Sequence, residues 1–222
     1  MAYDQVGIVN LGLGRIGVGR ISSIDENTNQ AIRAKAAWEY LVDEVLARKD
    51  WIFAKTRVAL AQSTTEPVYG WSYAYPLPAD FIRLAKGHKT SIMDDVPVSP
   101  DGYPYVVETL ASGQLVLLSN YDNSSEDLYI RYIRRIGDYR KFSAAFVKAL
   151  GFRIAAEMAI PLAEGMKKFE MMMNLYELAL KEADGLNASM DYVEDERGSD
   201  SWELAGRDTA PDKRMTYSVT EI

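Results

Sequence analysis

Helical periodicity at both ends of the chain, interrupted by a long stretch that cannot be helical, restricts this sequence to a mixed fold. Residues 51–136 hold six of the eight prolines and eight of the fourteen tyrosines. Proline has no N–H to give a helix and its ring clashes with the preceding turn, so such a stretch folds as strands and turns. Short runs rich in β-branched and aromatic residues recur at 56–60, 81–84, 105–110, 114–118 and 128–134. Turn signals separate them, among them Pro100-Asp101-Gly102 and Ser112-Gly113. The last run alternates, with Leu128, Ile130, Tyr132 and Arg134 on one face and Tyr129, Arg131, Ile133 and Arg135 on the other. A small antiparallel sheet inserted between helices is the expected result.

Before the insertion, Val6, Val9, Leu13 and Ile16 recur every three or four residues and predict a short amphipathic helix over 4–17. Gly7, Gly12 and Gly14 weaken it, each costing about 1 kcal/mol in a helix interior, and Gly17-Val18-Gly19 breaks it. A second helix is expected over about 25–49, with Asp25 as N-cap and Ala31, Ala34, Trp38, Leu41 and Val45 as its apolar stripe. Helical period returns at about Asp138. Residues 142–163 are apolar nearly all round, apart from a thin seam of Lys148, Arg153 and Glu157, and so predict a helix with neighbours on several sides. Pro161 is expected to bend or end it. From 166 to 186, Met166, Phe169, Met173, Tyr176, Leu180 and Ala183 form a heptad-like seam. Of Met171, Met172 and Met173, only Met173 falls squarely on that seam, which favours packing over an adaptable binding surface.

Residues 188–222 have no sustained period. From 183 onward there are ten acids and four bases, so this segment carries −6 of the chain's net −7 and the body is close to neutral. The tail nevertheless keeps Tyr192, Trp202, Leu204, Met215 and Tyr217, apolar anchors suited to a segment that orders on a partner surface. The expected architecture is α+β: a mainly helical bundle from 1–54 and 137–187, a β-rich insertion at 55–136, and an extended acidic tail at 188–222.

Several chemistries are closed to this composition. There is no cysteine, hence no disulfide, thiolate nucleophile or Cys-based zinc site, and one histidine, His88, cannot build a multi-His centre. Gly12-Leu13-Gly14-Arg15-Ile16-Gly17 matches the dinucleotide pattern G-x-G-x-x-G, yet no alternation of strands and helices follows to complete that fold. Asp94-Asp95 and Glu194-Asp195-Glu196 lack the spacing of a calcium loop and read as solvated acids. The stretch 69–81, with Trp71, Tyr73 and Tyr75, has no Lys or Arg to make it a nucleic-acid stacking platform. It reads as an aromatic loop packed over the sheet, with a partner interface as the functional alternative. The longest stretches without a charged residue, 67–79 and 109–121, are thirteen residues each, short of the ~20 that a membrane helix needs. The N-terminus lacks the basic region of a signal peptide, which points to the cytoplasm. No cofactor, metal or membrane partner is implied.

An ordered set of motifs adds a family. Ile8-Val9-Asn10-x-x-Leu13-Gly14-Arg15-Ile16-Gly17 is followed by Ile21-Ser22-Ser23-Ile24-Asp25-Glu26. Then come Arg48-x-x-Trp51-x-Phe53-Ala54-Lys55, with Arg57 and Ala59-Leu60-Ala61, and Gly70-Trp71-x-Tyr73-x-Tyr75-x-Leu77-Pro78-x-Asp80. An alanine-rich helix at 142–163 closes the series. Together these resemble the head-to-tail adaptors of tailed bacteriophages, of the tail tubular protein A type, over residues 6–187. Ile52 stands where that pattern leads one to expect a polar residue. The resemblance implies a non-enzymatic virion protein whose copies form a ring, usually twelve-fold. That ring sits under the portal at the head–tail junction, continues the DNA channel and docks the next tail component, a nozzle or tail tube. A nucleotide-dependent enzyme using the 12–17 glycines and a nucleic-acid-binding module using the aromatic stretch are the alternatives.

Overall fold

A computed structural model describes residues 4–85, 105–124, 127–163 and 165–188. The first helix, α1 (Gln5–Ile16), opens with the Asp4 carboxylate accepting the Gly7 N–H at 2.7 Å and closes on Gly17, whose φ of 77° suits a residue without Cβ. Its apolar positions Ile8, Val9, Leu13 and Ile16 are buried. The connection to α2 (Asn29–Arg48) is held at both ends. Asn10 accepts from the Ile21 N–H and donates back to its carbonyl, at 2.8 and 2.9 Å. The Ser22 amide and the Thr28 hydroxyl hold the Glu26 carboxyl below its usual range.

The cap of α2 is Thr28, whose hydroxyl accepts the Ala31 N–H, and the helix starts four residues after the expected Asp25. Asp25 pairs instead with Lys35 at 2.7 Å. The expected stripe Ala31, Ala34, Trp38, Leu41 and Val45 is buried throughout. After the helix, Trp51 turns back so that its indole N–H donates to the Val45 carbonyl at 2.8 Å, and its ring meets Phe146 edge-on at 5.0 Å. Ile52, the departure from the family pattern, is exposed.

Six strands follow: β1 (Lys55–Leu60), β2 (Tyr73–Pro76), β3 (Phe81–Leu84), β4 (Tyr105–Thr109), β5 (Leu115–Ser119) and β6 (Leu128–Arg134). The expected single sheet is in fact two antiparallel three-stranded sheets, ordered β1-β6-β3 and β2-β5-β4. β2, expected as an aromatic loop, is a strand paired with β5 from Tyr73↔Ser119 to Pro76↔Val116. Leu60, Tyr75, Leu117, Leu128, Ile130 and Tyr132 form one core shared by both sheets. The Ser112-Gly113 turn joins β4 to β5 with Gly113 at φ 83°. Pro100-Asp101-Gly102 lies outside the described residues.

The alternation of β6 explains how the two halves join. Leu128, Ile130 and Tyr132 face the strand core, whereas Ile133, of opposite parity, is buried in the helical core. Arg83 of β3 adds a polar clamp to the end of α2, donating to the Ala47 carbonyl and the Asp50 carboxylate, both at 2.6 Å.

Ser143 caps α3 (Ala144–Ala163), its hydroxyl accepting from Phe146. This helix is the hub of the bundle, in contact with α1, α2 and α4 (Met166–Ala188). It runs through Pro161 and stops two residues later. Along α4 the buried set is Met172, Tyr176, Ala179, Leu180 and Ala183. The expected seam is therefore rotated: Met172 is buried, Met173 is half-buried and Met166 is exposed. The helix passes Gly185 to reach Ala188. Among the described residues no helix is long and apolar enough to cross a membrane.

Candidate interaction surface

The 12–17 glycines lie within a helix and at its C-terminal end. A phosphate cradle requires them before a helix N-terminus, where free N–H groups point at the ligand. Gly12 instead marks the closest approach of α1 to α3: a Cβ there would stand 2.7 Å from Ile154 Cγ2 and 3.2 Å from the Gly151 carbonyl oxygen. Arg15 reaches over the same helix, donating to the Lys148 carbonyl at 3.1 Å with its guanidinium 3.6 Å from the Phe152 ring centroid. Burial holds its pKa below the ordinary value. Asn10, Gly12, Arg15 and Gly17 thus all serve folding.

The second motif divides in the same way. Tyr75 was a candidate partner contact and is corrected: it is fully buried in the strand core and its hydroxyl donates to the Tyr121 carbonyl. Burial pushes its pKa up to about 12. Tyr73 and Trp71 are half-buried, Tyr73 against the shared strand core and Trp71 over Ala74, Val116 and Leu118 on the other face of the second sheet. Asp80 accepts the Tyr132 hydroxyl at 3.0 Å. The exposed part of this region lies just upstream. Val68 and Tyr69, between Pro67 and Gly70, are 97% and 86% exposed. The aromatic count alone hid this division, because Val68, Tyr69 and Trp71 precede β2 whereas Tyr73 and Tyr75 belong to it.

Between α2 and α3 runs a half-buried ionic network. Arg153 donates to Glu44 at 3.0 Å and to Glu157 at 2.9 Å. Burial works against its charge, yet the two carboxylates hold its pKa above the ordinary value. Burial, and then a hydrogen bond to Glu157, push the Tyr40 hydroxyl up to about 12. Arg48 pairs with Glu177 at 3.1 Å, and Lys49 with Asp184, so ion pairs also tie the end of α2 to α4. The thin polar seam expected on α3 is therefore an internal clasp.

At the other end of β6 a cleft of about 310 Å3 opens between α2 and the chain after that strand. Its floor is Trp38, Val42, Ile136 and Tyr139, with the Trp38 and Tyr139 rings edge-on at 5.3 Å. Glu39 and Asp80 stand at its rim. Arg135, also on the rim, is held by Asp43, which keeps its pKa high. Sequence periodicity does not reveal this cleft, because its walls come from three separate segments.

Tyr192, Trp202, Leu204, Met215 and Tyr217, together with His88, Asp94-Asp95 and Glu194-Asp195-Glu196, lie outside the described residues. Among the described residues no cluster of three or more histidine or acidic side chains could hold a metal ion. Compared with protein-family models and with curated proteins, the chain matches none.

Proposed function

We propose that this chain is a structural virion protein, a ring-forming adaptor that joins the capsid portal to the tail and continues the DNA channel. One observation carries the reading. The ordered motifs that resemble phage adaptors are spent on framing: Gly12 and Arg15 seat α1 on α3, Asn10 and Gly17 fix the chain that leaves α1, Trp51 packs the end of α2 on α3, and Tyr75 and Asp80 brace the strands. Motifs spent on framing suit a scaffold whose job is to hold position, not turn over a substrate.

The physics of a ring is compatible with this frame. A closed ring repeats one heterologous contact, so each copy must present two different surfaces. Ile32 and Tyr40 on α2, and Met166, Met171 and Leu178 on α4, are large apolar side chains left exposed. A net charge of −7 suits a channel through which DNA must slide, since phosphate attraction comes chiefly from Lys and Arg. The segment 188–222, with Trp202 and Tyr217, is the proposed arm toward a neighbour or the portal. The partners are other copies of the chain, the portal, the next tail component and passing DNA. The place is the head–tail junction, after assembly in host cytoplasm.

Electron microscopy of the protein mixed with portal-bearing capsids tests the reading. A ring seated under the portal is expected; failure to bind the portal overturns it. A rise in melting temperature with NAD(P) or ATP would favour the enzyme alternative, and steeply salt-dependent DNA binding the nucleic-acid module.

A further inference from the structure

We propose that residues 191–200 lie on the basic outer face of the chain's own β1-β6-β3 sheet, leaving 201–222 to reach a partner. The contact is made within one copy, so it stands whether or not the chain is an adaptor. The face is the side of that sheet turned away from the strand core. β1 and β6 pair across it as Lys55↔Ile133, Arg57↔Arg131 and Ala59↔Tyr129. Arg57, Ala59 and Tyr129 are exposed, and Lys55 and Arg131 are half-buried. Two guanidinium groups thus stand directly opposite each other. Like charges so placed cost stability, and the site suits carboxylates laid over both.

The matching charge is in the sequence. Residues 191–200 hold five acids against one base, whereas 201–222 hold four against three. Tyr192 lies among those acids and offers a ring to the exposed Tyr129. A second stretch also starts at this face, where the Ala85 N–H donates to the Arg131 carbonyl at 3.0 Å. It is the poorer match, because 86–104 holds three acids against two lysines and its first charges are Lys86 and Lys89.

Placement gives a separate argument for the chain's own segment. α4 runs back along α3, and Glu182 pairs with Lys148 near the start of α3, so α4 ends at the strand end of the bundle. There Asp184 pairs with Lys49. The next residue, Asp50, holds Arg83 at 2.6 Å, and Arg83 and Lys55 flank β6 at the same position, Ile133. The helix ends at Ala188, one turn beyond the Asp184 pair and three residues before Asp191. Twelve residues then carry the chain to Asp200, up to about 40 Å when extended. A tether this short holds the acids over the face at roughly millimolar concentration, far above what a second copy supplies in dilute solution.

The chain has no cysteine, so one introduced pair reads the contact. Full-length Ala59→Cys/Val193→Cys protein keeps every charge named above. Oxidised at low concentration, it should close a disulfide within the chain at least about tenfold faster than Thr109→Cys/Val193→Cys protein, whose strand position is exposed on the other sheet. Raising salt from about 0.1 M to about 1 M should remove most of that advantage. Adding Arg57→Glu/Arg131→Glu to the first pair should remove it too, and Glu194→Lys/Glu196→Lys on top should restore it, a rescue that a misfolded variant cannot give. Equal rates for the two pairs, or indifference to the charge swap, would overturn the proposal. So would linking between separate Ala59→Cys and Val193→Cys chains at the same dilution, which assigns the segment to a second copy. DNA binding by the full chain that Arg57→Gln/Arg131→Gln abolishes would assign the face to phosphate and overturn it as well.

Discussion

Gly12 and Gly14 lie two residues apart on α1 and both belong to the nucleotide-like pattern, yet the fold uses them differently. Replacing either with alanine gains about 1 kcal/mol of helix propensity. At Gly14 a new Cβ meets nothing within 4 Å. At Gly12 it meets Ile154 Cγ2 at 2.7 Å, Ile154 Cβ at 3.0 Å and the Gly151 carbonyl oxygen at 3.2 Å. Ile154 is 1% exposed, so it has no free volume to retreat into, and the carbonyl belongs to the central helix. Overpacking of this kind costs about 1–3 kcal/mol. Gly14→Ala should therefore stabilise the protein by about 1 kcal/mol, and Gly12→Ala should fall below it by about 1–3 kcal/mol. For a chain of this size that gap is about 2–12 °C in Tm, at about 2–4 °C per kcal/mol. Urea titrations and calorimetry of both variants measure it. Equal stabilisation by the two substitutions would refute the close packing of α1 on α3. A shared loss of ATP or NAD(P) binding would return the glycines to the nucleotide reading.

Arg153→Met leaves Glu44 and Glu157 facing each other without their cation; because each glutamate side chain is about a third exposed, the loss should be about 2–4 kcal/mol by urea titration, short of a fully buried pair. Tyr132→Phe removes the bond to Asp80 and should cost about 1–3 kcal/mol. Burial first, then Asp80, push the Tyr132 pKa from 10.0 up to about 12, and burial does the same for Tyr75. The folded state therefore keeps phenol protons that the unfolded chain releases. This contribution is fully present below pH 10 and disappears as pH rises toward 12. Stability measured across that window should fall, and less steeply for Tyr132→Phe. Deleting residues 188–222 should abolish portal binding while circular dichroism of the body stays unchanged; full binding would refute the tail's role.

Periodicity located α1, α2, α3 and α4 because a helix stripe is a local signal, and the strands at 81–84 and 128–134 have the expected bounds. What escaped depends on contacts distant in sequence. Asp25 and Thr28 are both good caps, and the choice fell to Thr28 once Glu26 was drawn to the Ser22 amide and Asp25 to Lys35. β2 was hidden because Tyr73–Pro76 ends in proline and looks like a loop until β5 supplies its partner. One sheet became two because β6 sits between β1 and β3 while β5 sits between β2 and β4, an order that local patterning does not encode. On α4, Met172 displaced Met173 because packing on α3 chose a face that the heptad pattern left open. Exposure within the aromatic stretch was legible as composition, not as position: Tyr75 went to the core and exposure fell to Val68 and Tyr69.

The position of this chain's copies in the particle decides the proposed function. Cryo-electron microscopy of the assembled particle measures that directly. The expected map has a closed ring of this fold beneath the portal, with the DNA channel continuing through it. Density for the chain elsewhere in the particle, or single copies outside any ring, would contradict it.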